Sequence, residues 1–104
     1  MKIIRHKKFL KTAIQGDSRK RAKTLEKATI GELKALCEIL LNVYNLNLPI
    51  TTRQQRKLQK YKKQVLKILN RKNSWDKKRQ ILKQTGGFLP ILAPTVISLL
   101  ASLV

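Results

Sequence analysis

The placement of charge decides which parts of this chain can form a core. Its 104 residues carry 24 Lys or Arg against 5 Asp or Glu, a net of +19. Residues 1–27 hold ten bases against Asp17 and Glu26, net +8. Residues 28–50 hold Lys34 against Glu32 and Glu38, net −1. Residues 51–85 hold thirteen bases against Asp76, net +12, and residues 86–104 have no charged side chain. The chain therefore reads basic, near neutral, strongly basic and apolar. Such a charge opposes compaction and attracts polyanions: nucleic acid, anionic membrane or an acidic protein surface.

A hydrophobic content of 42% is too high for a disordered polycation, and 5% aromatics imply an aliphatic core. The length suits one small domain and excludes a multidomain enzyme. Cys37 stands alone, so no intramolecular disulfide exists. The start, MKIIRHKKFLK, lacks the apolar run of a signal peptide, which predicts a cytosolic or nuclear origin.

Periodicity predicts helices throughout. A first helix spans residues 2–15, with Ile3, Ile4, Leu10 and Ile14 apolar and Gly16 as its stop. Asp17 or Ser18 caps a basic helix after it. Thr29 and Glu32 form a capping box for a helix ending near Tyr44, whose stripe is Ile30, Leu33, Leu36, Cys37, Leu40, Leu41 and Tyr44. The turn NLNLP follows. Thr52 and Gln55 then suggest a second box, for a helix to Asn70 that turns Leu58, Tyr61, Val65, Ile68 and Leu69 inward. Asn73 or Ser74 caps a shorter helix to Gln84, ended by Gly86-Gly87. The expectation is an all-α bundle of three to four short helices with an apolar C-terminal tail or helix. Its divisions are a basic segment 1–28, a helical basic domain 29–85, and a Gly-Gly hinge with tail 86–104.

Catalytic chemistry is not expected. His6 lies alone between Arg5 and Lys7, the acids are scattered, and Cys37 falls on an apolar stripe as an inert thiol. No metal-ligand spacing or cofactor fingerprint occurs, so no metal or cofactor is predicted. The basic runs are the informative feature. The nominated nucleic-acid contacts are Arg19, Lys20, Arg21, Lys23, Arg53, Arg56, Lys57, Lys60, Lys63, Lys67, Arg71, Lys72, Lys77, Lys78 and Arg79. A charge run is ordinarily a solvated helix face, but these runs lack compensating acids. Lys outnumbers Arg, which favours point-charge neutralisation over bidentate base reading. The reading is duplex DNA bound without sequence specificity. Arg19–Lys23 and Lys77–Arg79 also fit weak nuclear-import signals.

The tail offers two readings. Seventeen helical residues reach about 25 Å, short of the roughly 30 Å hydrocarbon core, and Pro90 and Pro94 disturb its first turns. It is either a last core helix or a segment that docks to a membrane or partner. The nominated docking residues are Phe88, Leu89, Pro90, Ile91, Leu92, Val96, Ile97, Leu99, Leu100 and Leu103.

An ordered series of motifs covers about residues 33–104: Asn42-Val43-Tyr44, Leu48-Pro49-Ile50-Thr51, Gln55-Arg56-Lys57-Leu58, and a Lys77–Pro90 run that closes in GGFLP. It resembles the small basic virion proteins of Polinton/Maverick elements and adintoviruses, and is similar to the precursor of adenovirus core protein X (mu). The resemblance implies a protein packaged with double-stranded DNA in a virion assembled in the host nucleus, with capsid proteins as partners. It also implies a viral cysteine protease cutting at Gly86-Gly87 before Phe88, although Gln84 departs from the aliphatic residue usual at that position. A helix stop at the two glycines is the competing reading. The functional expectation is a DNA-condensing core or minor capsid protein whose tail docks to capsid or membrane. The alternative is a membrane-active protein using residues 88–104 beside a polybasic flank.

Overall fold

A computed structural model describes residues 5–45 and 50–102. The start of the first predicted helix with Ile3 and Ile4, the turn residues Leu46–Pro49, and Leu103 lie outside the described residues. Among the described residues seven α-helices follow in order: α1 (Lys7–Gln15), α2 (Ser18–Glu26), α3 (Ile30–Tyr44), α4 (Thr52–Gln59), α5 (Lys62–Leu69), α6 (Trp75–Thr85) and α7 (Ala93–Ser102). A 3₁₀ segment, Gly86–Leu92, joins the last two. The fold is all-α with a C-terminal apolar helix, but the count exceeds the three to four helices expected.

The extra elements come from an unexpected break at Lys60-Tyr61 and from the tail, while the stop at Gly16 is the expected one. At Gly16 the backbone turns extended and its N–H donates to the Thr12 carbonyl at 2.9 Å. A Cβ at Gly16 would lie 2.5 Å from that oxygen, so only glycine fits the stop. The predicted helix 52–70 divides at Lys60-Tyr61, where the Tyr61 N–H reaches back three residues to the Leu58 carbonyl. This tighter turn accompanies the placing of the Tyr61 ring 5.6 Å from that of Phe88, tilted by 37°.

Caps set the starts. Thr29 and Glu32 form their box as expected, at 2.9 and 3.1 Å. Asp17 accepts from the Lys20 N–H at 2.8 Å, and Ser74 from the Lys77 N–H at 3.1 Å. The second box is shifted by one residue: Thr51 and Gln54 form it, not Thr52 and Gln55. Thr51 has the extended backbone an N-cap needs. The Gln54 amide also donates to the Ile91 carbonyl at 2.9 Å and to Thr95 Oγ1 at 3.3 Å, tying this cap to the C-terminal segment. Thr51→Ala is accordingly expected to cost about 1 kcal/mol in urea unfolding, with Thr52→Ala within about 0.5.

The core is aliphatic, with Phe88 its one fully enclosed aromatic among the described residues. In α3 the buried side chains are Leu33, Ala35, Leu36, Cys37, Ile39, Leu40 and Val43. The predicted stripe is therefore rotated, and Ile30, Leu41 and Tyr44 are left 46–51% exposed. The cause is that α3 packs against α1, α5 and α6 and so buries more than one face.

Gly86 is the C-cap of α6, so the α-helix ends where the glycine pair predicts. Neither glycine takes a left-handed backbone, and beyond Thr85 the chain winds on as the 3₁₀ segment, which contains Pro90, and then as α7. That winding turns Phe88, Leu89 and Leu92 into the core, and α7 adds Val96 and Leu100. The C-terminal segment thus packs as a core element against α1 and α4.

Candidate nucleic-acid interface

The positively charged side chains fall into two groups. The first is structural and contains three of the nominated contacts. Arg21 is 9% exposed; its Nε and Nη2 donate to the Ala13 and Gly16 carbonyls at 3.3 and 3.2 Å, closing the end of α1. Arg79 Nη1 lies 2.7–3.1 Å from the carbonyls of Leu25, Glu26 and Ala28, closing the end of α2. Both guanidiniums satisfy carbonyls that a helix C-terminus leaves unpaired, and each complements the negative end of the dipole. Lys78 is 6% exposed, with its ammonium 4.3 Å above the Trp75 ring. The sequence hid these roles because their acceptors are backbone carbonyls contributed by distant residues.

The second group is free for a partner. Arg19, Lys20, Lys23, Arg53, Arg56, Lys57, Lys60, Lys63, Lys67, Arg71, Lys72 and Lys77 are all exposed. On α2, Arg21 and Leu25 point inward, which turns Arg19, Lys20 and Lys23 out. On α4 and α5, Val65 and Ile68 are buried and Leu58 packs against the core, which leaves Arg56, Lys60, Lys63 and Lys67 outward. Lys8, Lys11, Lys27 and Lys62 are also exposed. They were not nominated, although the inward positions Phe9, Leu10, Ala13 and Ile14 already imply Lys8 and Lys11.

The acids do little to offset this surface. Asp17 and Glu32 serve as helix caps, and Asp76 sits in the first turn of α6. Glu26 pairs with Lys83, and that hydrogen bond and charge hold its carboxyl below the usual value. The Glu26–Lys83 pair is the one salt bridge among the described residues. Exposed lysines and arginines without internal partners form a strongly positive surface on a body of 30 × 30 × 26 Å.

Other chemistry is sparse. Among the described residues no three His, Cys, Asp or Glu side chains gather as a metal site. A recess of about 330 Å³ beside Leu40, Val43, Leu58 and Val65 has Gln55, Gln59 and Lys62 as its polar lining and contains no acid, His or Cys. Burial pushes the Cys37 thiol up to about 11, against the opposing charge of Lys78. At pH 8 Cys37 should therefore resist a maleimide in the folded chain and react like an ordinary thiol in denaturant; fast labelling of the native protein would contradict this burial.

The proposed cleavage and docking residues sit differently from a free tail. Gly86 and Phe88 are buried and Gly87 is exposed, all within helical backbone, so cutting there requires local unwinding. Of the nominated docking residues, Phe88, Leu89, Leu92, Val96 and Leu100 are buried in the protein's own core. Ile91 and Leu99 are half-buried, while Pro90 and Ile97 are exposed. The stretch Trp75–Ala101 is long and apolar enough to cross a membrane by length and composition, a property that buried core helices share. Comparisons with protein-family models, curated proteins and solved structures find no match to this chain.

Proposed function

We propose that this protein binds double-stranded DNA through its charge, without reading sequence, and helps to compact it. The observation that carries the reading is the set of exposed, internally unpaired Lys and Arg side chains on α2, α4 and α5. Phosphates spaced along a duplex are the polyanion such a surface neutralises, and release of condensed counterions supplies the free energy. The nominated contacts are mostly Lys, which favours neutralising phosphates over forked base reading. The resemblance to small basic virion proteins of Polinton/Maverick elements and adintoviruses extends this proposal to a genome-associated virion component assembled with capsid proteins.

A membrane-active role is the weaker reading. It requires Phe88, Leu89, Leu92, Val96 and Leu100 to leave the core, exposing the apolar surface that α1 and α4 now cover. Fluorescence anisotropy with two duplexes of unrelated sequence tests the proposal. Both should bind with closely similar affinity at low salt. Absence of binding, or strong preference for one sequence, overturns it.

A further inference from the structure

We infer that a single copy of this chain holds two separate DNA segments, one on each of two positively charged faces. The inference rests on the DNA-binding reading and adds a geometry to it. The first face is the outer side of α2, with Arg19, Lys20, Lys23 and Lys27 exposed. The second is the outer side of α4 and α5, with Arg56, Lys60, Lys63 and Lys67 exposed.

Both faces belong to helices that pack on the central helical run Trp75–Ser102. α2 packs on α6 along the side carrying Arg79 and Lys83, through Arg79's bonds to the end of α2 and the Lys83–Glu26 pair. α5 also packs on α6, and α4 packs on the 3₁₀ segment, fastened by Gln54 to Ile91 and by Tyr61 to Phe88. None of the closely packed helix pairs joins α1 or α2 to α4 or α5. The near-neutral α3 contributes Lys34 as its single base.

One duplex cannot serve both faces. DNA stays straight over roughly 150 base pairs, so a short duplex does not wrap a body 30 Å across. A duplex on α4–α5 leaves α2 unneutralised, and that residual charge attracts a second duplex. Cross-bridging is then a property of the folded monomer and needs no oligomer.

The test is capture of a second duplex. One duplex of about 24 base pairs is fixed to beads, the full chain is added, and retention of a fluorescent duplex is read; anisotropy reads single-duplex binding separately. An α2 variant carries R19Q, K20Q, K23Q and K27Q, and an α4–α5 variant carries R56Q, K60Q, K63Q and K67Q. A balanced variant removes the same number of charges from both faces, with K20Q, K23Q, K60Q and K63Q. Each one-face variant should still bind one duplex with nearly wild-type affinity through its intact face yet capture the second at least about tenfold less well, while the balanced variant, weakened on both faces, should bind even a single duplex more weakly than either one-face variant. Mixing the two one-face variants should not restore capture. Wild-type capture by either one-face variant overturns the inference. So does equal single-duplex affinity in all three variants, which would make total charge the cause, or rescue by mixing, which would mean self-association. A wild-type chain that binds one duplex but captures no second sinks the bridging alone, whereas failure to bind any duplex sinks the DNA-binding reading as well.

Discussion

Replacing Phe88 by Ala is expected to lower the unfolding free energy by about 3–5 kcal/mol, a large share of the roughly 5–15 kcal/mol available to a small domain. The side chain is fully buried, its ring meets that of Tyr61, and its segment packs between α1 and α4. The substitution removes apolar contact area and leaves a void that neighbours held by three separate helices cannot readily close. Ile97→Ala supplies the contrast within the same C-terminal segment. Ile97 is 39% exposed, so its loss should cost about 1 kcal/mol or less. Urea denaturation reads both values. If Phe88→Ala were as mild as Ile97→Ala, the segment would be an appendage and not part of the core.

That result bears on how much of the structure the amino-acid order discloses. Thr29 and Glu32 announce the start of α3 because both halves of the box lie within three residues of each other. The Thr51–Gln54 box is ambiguous against Thr52–Gln55, since Thr-x-x-Gln occurs in both registers. What separates them is the reach of Gln54 to Ile91 and Thr95, a contact across about forty residues that no local pattern contains. The glycine pair marks the end of α6 correctly, but not the 3₁₀ winding beyond it, which accompanies burial of Phe88, Leu89 and Leu92 beneath α1 and α4.

The same division runs through the positively charged residues. Periodicity correctly turns Arg56, Lys60, Lys63 and Lys67 to the surface, because Val65 and Ile68 fix which side of α5 faces the core. It does not distinguish Arg79 from Lys77, although one caps α2 through three carbonyls and the other is exposed. A run of basic residues read as one patch is therefore two populations. One stabilises the fold and the other confronts the partner.

Salt dependence of duplex binding tests the central claim most directly. If about six exposed side chains of one face meet phosphates, the slope of log K against log salt is about −5, and affinity falls roughly a thousandfold between 50 and 200 mM. Lys60→Gln and Lys63→Gln should each make the slope shallower by about 0.9. Arg79→Gln should leave the slope unchanged while lowering stability, because its guanidinium is spent on the Leu25, Glu26 and Ala28 carbonyls. Anisotropy titrations of one labelled duplex across that salt range are the measurement. A steep slope that Lys60→Gln reduces and Arg79→Gln does not is the predicted result; a slope near zero, or no binding at 50 mM salt, would contradict the account.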